Sequence, residues 1–158
     1  MATSDPHLAL LRHAVATLAY RAGKALRGAP PEFAVFDGAT RTPAQILAHM
    51  GDLFDWALGL ADGRHEWHNS TPLPWEQEVE RFFAALAAFD QRLENGSPLG
   101  NSPERLFQGP VADALTHTGQ LAMLRRLAGC PMKGENYFKA EISAGSVRVN
   151  QTVPRVEF

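Results

Sequence analysis

Apolar residues return every three or four positions through most of the chain, in runs separated by glycine and proline. Leu8, Leu11, Val15, Leu18, Ala22 and Ala25 fall on one helical face, and Asp5 before Pro6 is a cap followed by a proline suited to the first turn. The spacing predicts a first helix from Pro6 to Leu26. A second stripe, Ile46, Met50, Leu53, Ala57 and Leu60 with Trp56 beside it, opens at Thr42-Pro43 and closes at Asp62-Gly63. The third runs through Trp75, Val79, Phe82, Leu86, Phe89 and Leu93, from near Pro74 to a stop at Asn95-Gly96. The fourth has a preface from Ser102-Pro103 to Gln108, where Gly109-Pro110 predicts a kink or a restart, and continues to about Ala128 before Gly129.

The intervening segment 28–41 carries Pro30, Pro31 and Gly38 and reads as a loop, with a short extended piece from Phe33 to Phe36. Beyond Gly129 the pattern changes. AEISA and SVRVNQTV, on either side of Gly145, are two short β-like runs, and a strand pair of that size must pack on something larger. The expected architecture is all-α: a four-helix bundle over residues 1–129, with an extended or hairpin tail at 130–158 packed on it or on a second subunit. Tyr137 and Phe138 are the expected apolar anchors of that tail, with Glu135 and Lys139 folding over one end of the bundle.

Composition narrows the function classes. The 158 residues are 45% hydrophobic, enough for one sizeable core, and the net charge of −2 supplies no basic field for a nucleic-acid backbone. No stretch approaches the roughly 18 unbroken apolar residues of a membrane span. The opening MATSDPHLALLRHAV lacks the basic start of a secretory signal, and a single cysteine, Cys130, fits a reducing cytoplasm.

Chemistry enters where polar residues interrupt the stripes. Stepping back from Leu127 and Leu124 along the fourth helix, the same face carries Gln120, His117 and Asp113, where an ordinary core helix would carry Leu or Ala. His49 lies between Ile46 and Met50 on the stripe of the second helix. It stands about 12 Å from its helix start and His117 about 16 Å before its helix end, so antiparallel helices bring the two imidazoles to similar depth. A buried carboxylate and imidazole need partners. An Asp113–His117 ion pair within a hydrogen-bonded core is one answer. A divalent ion held by His49, Asp113 and His117 with open positions is the other, and this ligand set suits Zn, Ni, Fe or Mn without choosing among them. Gln120 either orients an imidazole or a bound water, or closes the polar cluster without metal. Gly119 is expected to admit a neighbouring helix. His65 and His68, in a surface loop, and Cys130 read as ordinary polar and packing residues, and Arg125-Arg126 as basic residues favouring a helix C-terminus.

Two segments, TRTPAQILAHMGDLFDWAL and THTGQLAMLRRLAG, resemble the second-helix and fourth-helix signatures of the DinB/YfiT-like superfamily, in the right order and in a chain of matching length. The resemblance implies a four-helix bundle in which a second-helix His and two fourth-helix His, four apart, surround a divalent metal. Carried over, it implies His49 and His117 as ligands. The third position falls on Asp113, where the family pattern has His, a departure that alters affinity and metal preference. Members of that superfamily include thiol-dependent transferases and isomerases, and others regarded as hydrolases. The expected function is therefore a divalent-metal protein acting on a small-molecule substrate, with or without a thiol cosubstrate. The alternative is a non-catalytic stress-related or small-ligand-binding bundle with a degenerate metal site. A homodimer formed through the apolar ends of the first and third helices is expected.

Overall fold

The computed structural model describes residues 5–158, so residues 1–4 of the expected bundle unit and of the non-secretory N-terminus lie outside the described residues. The chain is all-α, with four principal helices and no strand among the described residues. Helix α1 spans Pro6–Leu26 and is capped by Asp5, whose carboxylate accepts from the His7 amide. Helix α2 spans Pro43–Ala61 and opens with a reciprocal capping box, in which Thr42 and Gln45 each bond the other's backbone. Helix α3 spans Trp75–Glu94. Helix α4 is one continuous helical segment over 103–127, made of Pro103–Leu106, a wider π stretch at Phe107–Val111, and the main α part Ala112–Leu127.

Helical structure continues through Gly109-Pro110, so α4 does not stop and restart there. Pro110 brings no amide hydrogen, and the chain absorbs the gap by widening for one turn. The expected extended piece at Phe33 to Phe36 is instead a 3-10 turn at Pro31–Val35, which buries Phe33 edge-on against Trp75 with ring centres 5.6 Å apart.

Helix α1 packs on α3 and α4, and α2 packs on the same two. The apolar stripes meet in one cluster that includes Val15, Leu18, Met50, Phe54, Phe82 and Leu121. At its centre Phe54 sits between Phe82 and Phe89, with ring centres 6.1 and 5.7 Å away. Each of these rings is 0% exposed, a burial that contributes about 1.5–3 kcal/mol per side chain. A two-pronged ion pair from Arg12 to Asp90, both contacts at 2.9 Å, ties α1 to α3. Arg125 does more than favour its own helix end. Its guanidinium is buried and donates to the carbonyls of Ala25 and Arg27 at the C-terminus of α1 and to that of Cys130.

The tail departs from expectation. AEISA and SVRVNQTV form no strands. The segment 130–158 follows an irregular path with one antiparallel bridge, Glu135 to Glu157. Val147 enters the core, but Val149 and Val153 stay largely exposed, so the alternation buries one valine rather than a continuous strand face, and Thr152 spends its hydroxyl on the Glu141 carbonyl. Phe138 is 96% exposed and anchors nothing. Besides Val147, a polar residue ties the tail down: Glu135, buried, accepts from Tyr20 at 2.6 Å and from Lys24 at 2.7 Å on α1. Burial and the bond to Glu135 push the Tyr20 phenol well above its usual range. Tyr137 packs edge-on to Tyr20, with the Arg21 guanidinium 4.0 Å above its ring. No helix among the described residues is long and apolar enough to cross a membrane.

Candidate metal centre

Helices α2 and α4 bring His49, Asp113 and His117 together at one side of the molecule. The two imidazole rings lie 4.8 Å apart, centre to centre, and nearly perpendicular at 84°. His49 Nε2 is 3.4 Å from Asp113 Oδ2, and His117 Nε2 is 3.4 Å from Asp113 Oδ1. One donor atom from each residue falls within 4.8 Å of the others, so the three form a possible ligand set. Asp113 and His117 meet because they stand four apart on α4, and His49 because α2 packs across that face.

Gln120 lies one turn beyond His117, and its Oε1 is 2.8 Å from His117 Nδ1. An amide oxygen only accepts, so the proton sits on Nδ1 and the Nε2 lone pair points at Asp113 and His49. Burial pulls the His49 pKa below its ordinary value; the Asp113 bond opposes this, and the neighbouring charges of His117 and Arg41 add to the fall. Both rings therefore present Nε2 to a common point. Trp67, from the loop between α2 and α3, stands edge-on to His49 at 5.5 Å and is itself backed by Trp56 at 5.7 Å.

The face that carries these groups is less enclosed than the sequence stripe suggests. The His117 side chain is 12% exposed, His49 21% and Asp113 46%. The core side of α4 consists of Ala114, Thr118, Leu121, Leu124 and Arg125, while Leu127 is 60% exposed. The line Asp113, His117, Gln120, Leu124, Leu127 thus runs along the shoulder of α4, facing a cleft. The main part of α4 is rich in Ala, Thr and Gly, and so few large apolar residues leave its rotation poorly marked. Gly119 admits no neighbouring helix, because a side chain there would point into open space. The cleft beside His117, about 530 Å³, is walled by the 38–41 segment and by Ile46, Gln120, Met123 and Leu124.

A second polar cluster lies one turn further along α2, and the sequence stripes did not reveal it. Asp52 is 2% exposed and Glu78 0%, and Arg81 of α3 bridges them. The Arg81 guanidinium contacts Asp52 and reaches Glu78 at 2.9 Å, Asp55 at 3.1 Å and the Ala48 carbonyl at 3.1 Å. Asp52 also accepts from the Ser70 amide at 2.8 Å and hydroxyl at 2.7 Å, and His68 Nε2 stands 3.0 Å away. Burial alone would raise the Asp52 pKa, but Ser70 and Arg81 outweigh it and hold the carboxyl below its ordinary value. Asp52, Asp55 and His68 could also hold an ion by distance alone, but Arg81 already occupies the carboxylates as their cation. Gly51 is what lets the guanidinium cross α2, since a Cβ there would lie 2.7 Å from Arg81 Nη1. The one available signal was spacing: Asp52 follows His49 by three, and Glu78 precedes Arg81 by three.

Compared with models of known protein families, with curated proteins and with solved structures, the chain finds no match.

Proposed function

We propose that this chain is a four-helix bundle of the DinB/YfiT-like kind in which His49, Asp113 and His117 hold one divalent ion, and that it acts on a small molecule as a metal-dependent hydrolase or thiol-dependent transferase. The observation that supports the reading is the spacing of the three groups. Each imidazole Nε2 faces an Asp113 oxygen at 3.4 Å, beyond the roughly 2.7–2.9 Å of a charge-assisted hydrogen bond. The two contacts go to different Asp113 oxygens, and one ligand atom from each residue lies within 4.8 Å of the others, a spacing that an ion could bridge. The contacts between the groups are long for hydrogen bonds of this kind, which suits an ion between them better than a closed hydrogen-bond network.

Three protein ligands leave a position open, and a divalent ion bound there lowers the pKa of a coordinated water or thiol to give a nucleophile near neutral pH. The chain's own groups have separate tasks. Gln120 fixes the His117 tautomer, Trp67 shields one side of His49, and the cleft beside His117 admits the substrate. The second reading, a small-ligand binder without catalysis, is favoured by one feature. The walls of that cleft carry no carboxylate to serve as a separate general base.

Metal analysis of protein purified without an affinity tag tests the first reading. The expected result is about one ion per chain, lost in His49→Ala and His117→Ala; undiminished metal in both variants refutes the ligand assignment. Turnover of a thiol with an electrophile, with and without added zinc, separates the two readings. Zinc-dependent turnover eliminates the purely binding role.

A further inference from the structure

The cleft beside His117 has a chemical character of its own. Gly38, Ala39 and Ile46 line one part and Met123, Leu124 and Leu127 another, and Arg41 is the only formally charged residue on its walls. Met123 is 53% exposed and Leu127 60%, so this apolar surface is open to a ligand. A smaller cavity of about 220 Å³ adjoins His49 and is lined by Gln45, Asp52 and Ser70. Thr40 and Arg41 line both cavities, so these two residues stand at their junction, with His117 on one side and His49 on the other. Four arginines that pack on the helices are committed: Arg12 to Asp90, Arg81 to Asp52 and Glu78, Arg92 to Asp62, and Arg125 to backbone carbonyls. Arg41 makes no ion pair or side-chain hydrogen bond among the described residues.

We infer that this cleft binds an aliphatic carboxylic acid, with the carboxylate on Arg41 and the Thr40 hydroxyl and the chain along Ile46, Met123, Leu124 and Leu127. The inference rests on the proposed metal centre only for what happens to the acid; the binding itself needs Arg41 and the apolar wall. A planar guanidinium without a partner matches a carboxylate through two parallel hydrogen bonds, which a neutral ligand of the same shape cannot make. The absence of acidic side chains from the walls removes the repulsion an anion would otherwise meet in a chain of net charge −2. The apolar wall selects for chain length, because each methylene placed against it leaves water. An acid held this way lies alongside His117, where the proposed ion would meet it.

The experiment uses hexanoate and 1-hexanol as probes, titrated calorimetrically into the full chain, once loaded with zinc and once stripped with EDTA. Hexanoate should bind roughly five- to tenfold more tightly than hexanol in both states. Arg41→Gln should abolish that preference while leaving hexanol affinity and zinc stoichiometry unchanged. Across butanoate, hexanoate and octanoate, affinity should rise about threefold per methylene, and Leu127→Ser, at an exposed position, should flatten the rise. The inference is overturned by equal affinities for acid and alcohol, by no hexanoate binding, or by a preference that survives Arg41→Gln. It is also overturned by a preference that disappears from the stripped wild type, which places the carboxylate on the ion. A wild type that takes up no zinc but still prefers hexanoate through Arg41 removes the metal reading and leaves this one standing.

Discussion

Helix α2 presents two clusters of charge one turn apart, and they are built in opposite ways. At Asp52, the carboxylates of Asp52 and Glu78 are almost wholly buried, and every contact is short: Arg81, Ser70 and His68 all lie at about 3 Å or closer. At His49, the side chains are partly open, the two contacts to Asp113 are 3.4 Å, and no protein cation enters. The first cluster carries its own cation in Arg81; the second brings together three groups that could serve as ligands. Burial alone does not single out a candidate ion site, since the more deeply buried cluster already holds the Arg81 guanidinium. What distinguishes the His49 cluster is the length of its contacts and its partial exposure.

The comparison breaks most visibly if Arg81 is removed. Arg81→Met leaves two buried carboxylates unpaired and should cost about 3–5 kcal/mol in urea unfolding. A loss below about 1 kcal/mol would show that the network is not what holds α2, α3 and the 62–74 loop together. Zinc gives the converse effect. At a hundredfold excess over its dissociation constant it should stabilise the wild type by about 2.7 kcal/mol, read as a rise in Tm. The rise should vanish in His49→Ala and persist in His68→Ala; the reverse pattern would move the ion to the Asp52 cluster. Replacing Gln120 with Leu frees the His117 tautomer and should lower zinc affinity about tenfold, with little change in the stability of the metal-free protein. Unaltered affinity would leave the 2.8 Å contact without a role in the site.

The smallest expected effect concerns pH. The Asp52 carboxyl is held below its ordinary value, so its contribution to stability is present above a pH of about 4 and fades as pH falls through its folded-state value. Stability profiles of the wild type and Asp52→Asn should therefore differ most near neutrality and converge in acid. Parallel profiles down to acid unfolding would mean that Asp52 does not gain from its partners.

How legible these features are in the sequence follows from where their information lies. Asp5-Pro6 and Thr42-Pro43 set helix starts through backbone chemistry within a few residues, and those starts are where the pattern puts them. His49, Asp113 and His117 were readable because each interrupts a helical stripe at a depth that simple helix geometry can compare. The Asp52–Arg81 network was not, because its partners come from a helix and a loop whose relative placement no local pattern states. The shoulder position of α4 was misjudged for want of large apolar residues to mark its inner face. The tail misled through AEISA and SVRVNQTV, whose alternation resembles strands but which buries only Val147 and leaves Val149 and Val153 exposed. Its polar anchor, Glu135 against Tyr20 and Lys24, spans 115 and 111 residues of sequence.

The central claim is that the loosely facing trio on α2 and α4 is a cation site and the tight cluster beside it is not. Anomalous scattering from a crystal soaked in zinc tests it most directly. The account predicts one peak within about 2.0–2.2 Å of His49 Nε2, His117 Nε2 and an Asp113 oxygen. A peak among Asp52, Asp55 and His68, or no peak at either cluster, would contradict it.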